Sequence, residues 1–307
     1  MAPDWVESSG WPAPGALDRD SVEARLDRLV RTNRFTIAVV FPVTGAVLLL
    51  ASALGWFAPA VEALPPALAD PLAWVPDALA FNPWLVLVGV AVMRLPLVAG
   101  VAPLVDRKAT AALLALAAYA YGIEFVGVTT GWPYGAFEYG VALGPMAGGV
   151  PLALPVFFFP LVLNSYLLCL LLLGDLARSP WVRLPVVVAT VVGIDLVLDP
   201  GAVALGFWAY DGGGAFYGVP WSNYAGWVLS ATLAVGAFDW GLDRAALLAR
   251  LDDCPFMLDD MVSFVILWGG VNAAFGNWAP VALASVFAAG LVVTDRFDVP
   301  TRPRWVT

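Results

Sequence analysis

The chain contains no histidine and only two cysteines, Cys169 and Cys254. Without imidazole there is no histidine acid, base or haem ligand, and the histidine-box di-iron chemistry of membrane desaturases is excluded. Two cysteines cannot form a metal site by themselves, and no glycine-rich phosphate loop follows a strand pattern. We therefore expect neither a metal nor another cofactor, which leaves carboxylates, arginine, amides, hydroxyls and aromatic rings for any chemistry.

Charge is also scarce. Only 13% of the 307 residues are charged, whereas 61% are hydrophobic, and the mean hydropathy is +0.83. This composition predicts an all-α polytopic membrane protein, because about 20 apolar residues in a helix cross the hydrocarbon core of a bilayer. Eight apolar runs are expected to span the membrane, near 35–57, 83–105, 109–130, 150–173, 184–206, 219–238, 260–276 and 279–294.

The basic residues occur in alternate loops. Of the fifteen, all but Arg94 lie before the first apolar run or after the second, fourth, sixth and eighth. The positive-inside rule then places both termini in the cytoplasm. We expect a cytoplasmic segment at 1–34, a single transmembrane helical domain at 35–295 in the cell membrane, and a cytoplasmic tail at 296–307. The net charge of −9 argues against a nucleic-acid partner and, with a single lysine, is typical of a salt-rich cytoplasm.

The sequence also predicts an internal repeat, in which spans three and four are copied in parallel as spans five and six. Offsets of 71 and then 69 residues align an acidic tripeptide, two aromatic residues and a Gly-Val-Pro motif: Gly122–Glu124 with Gly193–Asp195, Phe137 with Trp208, Tyr139 with Tyr210, and Gly149–Pro151 with Gly218–Pro220. Parallel copies are related by an axis along the membrane normal.

Ionisable residues within the apolar runs mark the candidate site. Arg94, Glu124, Asp195 and Asp199 each cost several kcal/mol in hydrocarbon, so such residues usually face a cavity or one another. Asp195 and Asp199 are one helical turn apart and share a face. The structural alternative is a buried ion pair of Arg94 with one carboxylate, but one arginine cannot neutralise three.

Two loops beside these acids are rich in aromatic residues, which either line a pocket or form an interfacial belt. We expect the loop residues to bind substrate, namely Trp132, Tyr134, Phe137, Glu138, Tyr139, Trp208, Tyr210, Tyr217 and Trp221. The intramembrane amides of Asn164 and Asn223 either orient a water molecule or bond across helices.

These residue types fit the addition of water to an alkene. A carboxyl group in an apolar pocket is poorly solvated as an anion and can therefore keep its proton near neutral pH. The faces of aromatic rings stabilise a cation, and a held water molecule can capture it. On this reasoning Glu124 or Asp195 donates the proton, Asp199 or Asn223 positions water, and Arg94 balances the remaining charge.

Four stretches carry a resemblance to a known family: GIEFVGVTTGWPYGAFEY, GGVPLALPVFFFPLVLN, DLVLDPGAVALGFWAY and YGVPWSNYAGW. They resemble the carotenoid hydratase family, and more narrowly its haloarchaeal members. The resemblance implies that water is added to the terminal prenyl double bonds of a lipid-soluble carotenoid, converting bisanhydrobacterioruberin to bacterioruberin, a fifty-carbon membrane pigment. It leaves the roles of individual acids open, as well as any partnership with other membrane enzymes of the pathway. Membrane lipids are the remaining expected partners.

Two other classes of function remain compatible with the residues. A proton-coupled transporter would also show intramembrane charges and a repeat, and a carotenoid cyclase would begin with the same protonation. A prenyl transferase would need an Asp-rich motif for magnesium and diphosphate, for which DDCPFMLDD at 252–260 is the only candidate. Its proline and its loop position favour an acidic surface instead.

Overall fold

A computed structural model describes residues 18–79 and 81–297 of the chain; residues 1–17 of the predicted N-terminal segment and 298–307 of the predicted tail lie outside them. The helices and strands are α1 (Arg19–Phe35), α2 (Phe41–Ala53), α3 (Phe57–Glu62), α4 (Pro66–Leu72), α5 (Val75–Leu79), α6 (Pro83–Val101), α7 (Arg107–Thr130), β1 (Phe137–Tyr139), β2 (Met146–Ala147), β3 (Val150–Pro151), α8 (Leu154–Leu173), α9 (Pro180–Ala204), β4 (Trp208–Tyr210), α10 (Trp221–Gly241), α11 (Arg244–Asp253), α12 (Asp259–Phe275) and α13 (Trp278–Val293). A π-helical stretch, Thr36–Val40, joins α1 to α2.

The prediction of an all-α polytopic membrane protein is confirmed. Within the described residues, six helical segments are long and apolar enough to cross a membrane: Arg19–Ala53, Pro83–Leu104, Arg107–Thr130, Leu154–Arg178, Pro180–Ala204 and Pro255–Phe275. A seventh results if α10 and α11, which meet at 84°, form one broken span, whereas α13 is a shorter apolar helix. The count of eight spans and the internal repeat stay predictions.

Local sequence sets the ends of the helices that frame the site. The Asn82 side chain accepts the backbone N–H of Trp84 at 2.9 Å and so caps the start of α6. Asp106 caps α7 in the same way, accepting from Ala109 N–H at 2.8 Å. At its other end, α7 terminates at Gly131, whose left-handed φ of 76° suits the residue that follows a helix.

Four short strands among the described residues lie where α7 and α9 end and α8 and α10 begin, at what we call the strand end of the bundle. β1 pairs with β4 antiparallel, with Phe137 opposite Tyr210 and Tyr139 opposite Trp208. Because side chains alternate along a strand, these four rings share one face of the sheet. Glu138 between them points to the opposite, exposed face.

The region 252–260 corrects the prediction of an acidic surface. Asp259 and Asp260 are 0% exposed, although Asp252 is exposed as expected. The polypeptide turns inward at Pro255–Leu258, where Phe256, Met257 and Leu258 are buried, so the two acids that open α12 lie inside the bundle. Asp259 forms an ion pair with Arg34 at 2.8 Å. Both acids are therefore part of the folded interior.

Candidate active site

A cavity of about 180 Å³ lies inside the bundle beneath the strand end. Helices α6, α7, α8, α9, α10 and α12 surround it, and the shared aromatic face of β1 and β4 closes one side. The lining is mostly apolar and contains eleven aromatic side chains: Tyr134, Phe137, Tyr139, Phe157, Phe158, Phe207, Trp208, Tyr210, Trp227, Phe264 and Trp268.

Glu124 projects from α7 into this cavity. It lies six residues before the end of the helix at Thr130, a depth of about 9 Å at 1.5 Å per residue. The hydroxyl of Tyr139 donates a hydrogen bond to Glu124 Oε1 at 2.5 Å. Strand β1 therefore places a phenol directly over an acid held on a rigid helix.

Asp195 and Asp199 lie one turn apart on α9, as predicted, and are 0% and 3% exposed. The Asn223 amide Nδ2 donates to Asp195 Oδ2 at 2.9 Å and to Asp199 Oδ2 at 2.6 Å. Tyr210 donates its hydroxyl to Asp199 Oδ2 at 3.1 Å, and the two neighbouring carboxyl groups are close enough to share a proton. Asp199 lines the cavity, whereas Asp195 lies behind it.

In the described part of the chain, the acids of the site lack an ion-pair partner. Within the described residues, no arginine or lysine forms an ion pair with Glu124, Asp195 or Asp199. The expectation that Arg94 balances them is wrong, because Arg94 reaches the cavity but forms its ion pair with Asp260. Adjacent buried carboxyl groups cannot all ionise in such surroundings, so they share or keep protons.

The phenols that touch the acids stay protonated. Burial, and after it the charge of Glu124, raises the pKa of Tyr139 well above its ordinary value. Burial, followed by the charge of Asp199, likewise raises the pKa of Tyr210. Each tyrosine therefore remains a hydrogen-bond donor to its carboxylate at physiological pH.

Tyr134 is the third phenol of the cavity and belongs to a chain of hydroxyl groups. Its hydroxyl lies 2.6 Å from Ser230 Oγ, which lies 3.0 Å from the hydroxyl of Tyr119. The ring packs so closely on α10 that a Cβ atom at Gly226 would lie 2.6 Å from its Cδ1 atom. Glycine at 226 therefore allows the ring of Tyr134 to reach the cavity wall.

Besides Asp195, five residues predicted for the site do not line the cavity. Trp132 and Trp221 are 59% and 61% exposed, as in an interfacial belt, and Glu138 points outward because of strand alternation. The Tyr217 hydroxyl accepts the backbone N–H of Ala279 at 3.3 Å, which links it to the start of α13. Asn164 is buried and donates to Asp260 Oδ2 at 2.6 Å, so it supports that carboxylate.

Several lining residues were not predicted from the sequence. Phe207 lines the cavity from the position just before β4, and Trp227 lines it from α10. Trp268 and the hydroxyl-bearing Ser263 line it from α12. In the sequence they lie within or beside uninterrupted apolar runs, where a ring that faces a cavity is indistinguishable from one that faces lipid. Phe207, immediately before β4 and beside two predicted residues, was the one that could have been found.

Comparisons with known proteins agree on one family. Residues 81–291 match the family described as carotenoid biosynthesis protein. A bisanhydrobacterioruberin hydratase of Haloarcula japonica is 60% identical over 291 residues, which cover 94% of this chain and 92% of that protein. No solved structure matches the chain significantly. The matched region contains every helix and strand that lines the cavity, apart from α2, which contributes Leu49.

Proposed function

The chain belongs to the carotenoid biosynthesis protein family, and from this premise we propose that it is a hydratase acting on bisanhydrobacterioruberin. It adds water to the terminal prenyl double bonds and yields the tertiary alcohols of bacterioruberin. The observation that carries this proposal is the cavity itself, in which acids that form no ion pair with any described residue face a wall of aromatic rings. Identity of 60% to a hydratase over nearly the whole chain supports the same reaction.

Glu124 is the proposed proton donor. It accepts one hydrogen bond, from Tyr139, whereas Asp199 accepts from Tyr210, Asn223 and the carboxyl group of Asp195. Hydrogen bonds to charged groups contribute about 1.5–3 kcal/mol each, so the two additional donors favour Asp199 as the anion and leave the proton on Glu124. Glu124 then transfers its proton to the less substituted alkene carbon.

The tertiary carbocation that results needs neighbours that stabilise it without reacting. The rings of Phe137, Trp208 and Trp227 line the cavity, and the face of a desolvated ring stabilises a cation by up to about 2 kcal/mol. The negative charge of Asp199 adds a Coulombic attraction across the same space. Few polar groups reach the cavity, so the amount of water is limited and loss of a proton to bulk solvent is disfavoured.

Asp199 is the proposed base for the attacking water. Its carboxylate lines the cavity, and Asn223 holds it in place by an amide hydrogen bond at 2.6 Å. Asp195 supplies the proton that lies between the two aspartates, so the pair carries a single negative charge. Water attacks the cation, a C–O bond forms, and the surplus proton of the water moves to Asp199.

We also propose that the site arose by duplication, as the predicted repeat implies. In the β1–β4 pair, Glu138 lies opposite its own equivalent, Ala209, and Phe137 and Tyr139 each lie opposite the equivalent of the other, which is the register that a two-fold axis produces. The turns before the Gly-Val-Pro valines correspond as well: Gly148 and Gly149 have φ of 58° and 82°, and Tyr217 and Gly218 have φ of 51° and 84°. Successive positive φ values of this kind define one type of hairpin turn.

The protein is a multi-pass membrane protein, and we propose that both termini are cytoplasmic and that the strand end faces outward. The alternation of basic loops supports this orientation. With the protein in this orientation in the cell membrane, the substrate enters from the bilayer and the acids lie nearer the outer surface. Neighbouring membrane enzymes of carotenoid synthesis are the partners that such a lipid-soluble substrate favours.

The experiment that tests this function is expression of the chain in a host that makes bisanhydrobacterioruberin but lacks the hydratase. Mass spectrometry should detect pigment heavier by one and two waters than the pigment of the host alone. Unchanged pigment masses would contradict the proposal. Redistribution of unchanged pigment between membranes would instead favour a transporter, and ring formation without gain of water a cyclase.

A further inference from the structure

Hydration with separate acid and base leaves the site in the wrong protonation state. Glu124 gives a proton to carbon and becomes a carboxylate, and Asp199 takes a proton from water and becomes a carboxylic acid. The alkene has gained one water and the protein has neither gained nor lost a proton. A proton must therefore pass from Asp199 to Glu124 before the next double bond can react, within a cavity poor in polar groups.

Tyr139 can carry the proton from Asp199 back to Glu124. Its hydroxyl already donates to Glu124 at 2.5 Å, so its proton needs to move only along an existing hydrogen bond. Tyr139 and Asp199 line the same cavity, and the Asp199 carboxylate acts electrostatically on the Tyr139 phenol. Tyr210 differs, because its hydroxyl donates to Asp199 itself and has no bond to Glu124.

We propose that Tyr139 is the proton relay that resets the site, an inference that depends on the proposed function. The Asp199 carboxyl group gives its proton to the Tyr139 phenol oxygen, directly or through one water, while the phenol passes its own proton to Glu124. One O–H bond breaks and one forms at the phenol, so Tyr139 is unchanged. Asp199 becomes an anion and Glu124 an acid, as before the reaction.

The test is Tyr139→Phe, examined by rapid quenching of purified protein in lipid nanodiscs with excess bisanhydrobacterioruberin. The expected result is a burst of about one addition per protein molecule, followed by turnover about 10²-fold slower than that first addition. Tyr121→Phe is the matched control, since its hydroxyl donates to the Leu152 carbonyl outside the cavity. The control should turn over as the native protein does.

Two results would overturn the relay. Continuous turnover of Tyr139→Phe at the native rate would mean that Glu124 recovers its proton from the attacking water. A first hydration as slow as the later ones would mean that Tyr139 acts in the chemical step. Should the phenylalanine variant not fold, a fluorinated tyrosine at 139 keeps the ring and the hydrogen bond. It should alter later turnovers by a larger factor than the first, and equal effects on both would also refute the relay.

Failure of the proposed function would look different. If the native protein forms no hydrated product in the same nanodiscs with the same substrate, the proposed hydratase function is refuted. If the native protein hydrates the carotenoid steadily and the Tyr139→Phe variant shows no burst, only the relay is refuted. The number of additions per protein in the first phase is a readout that a merely structural role of Tyr139 does not produce.

Discussion

Replacement of Glu124 by glutamine removes a transferable proton and little else. Glutamine has nearly the same size, and its carbonyl oxygen can still accept the hydroxyl of Tyr139 that lies 2.5 Å from Glu124. A positioned general acid accelerates a reaction by about 10²–10⁴-fold. At 1.36 kcal/mol per factor of ten, its loss raises the barrier by about 2.7–5.4 kcal/mol. We expect the rate of hydration to fall by that factor while carotenoid binding is retained.

The assay is the initial rate of water addition by purified variants, measured by mass spectrometry, with binding followed by the pigment absorbance. Glu138→Gln is the matched control, because it makes the same chemical change fourteen residues away on the exposed face of β1. The control should keep native activity. Activity of Glu124→Gln within about tenfold of native would refute the assignment of the acid, since it falls below the range for general acids.

Two further predictions concern two other buried carboxylates, Asp199 and Asp260. Asp199→Asn keeps the acid and removes the base, so the cation should lose its proton again and return to alkene. We expect hydration to be about 10²-fold slower, and in deuterium oxide the unhydrated carotenoid should gain deuterium. Unhydrated carotenoid without deuterium would contradict the role of Asp199 as the base. Asp260→Asn leaves Arg94 without its counter-charge, and unfolding should become easier by about 3–5 kcal/mol. A melting temperature as high as that of the exposed control Asp252→Asn would refute this.

The overall class of the fold followed from composition, because length and apolarity of helices are dictated by the bilayer. The pairing of Glu124 with an aromatic loop, and of Asp195 with Asp199, also followed from local spacing. These are properties of one helix and its neighbouring turn. They do not require knowledge of which helices meet.

What required the structure was contact between distant segments. Arg94 is 166 residues from Asp260, and nothing in the sequence indicates that these two side chains meet. Asp260 stands in an acidic run that is typical of a surface, and only the inward turn before α12 buries it. Glu138 was assigned to the site by proximity, although the alternation of Phe137, Glu138 and Tyr139 in a strand excludes it. Short strands are not expected in a sequence dominated by helical runs.

The most direct test of the central claim is hydration of bisanhydrobacterioruberin by the purified native protein in water labelled with oxygen-18. The account predicts tertiary alcohols that each carry one labelled oxygen, formed in proportion to protein and without added metal or cofactor. Product without the label would contradict the account. So would the absence of product from native protein that binds the pigment as well as the Glu124→Gln variant does.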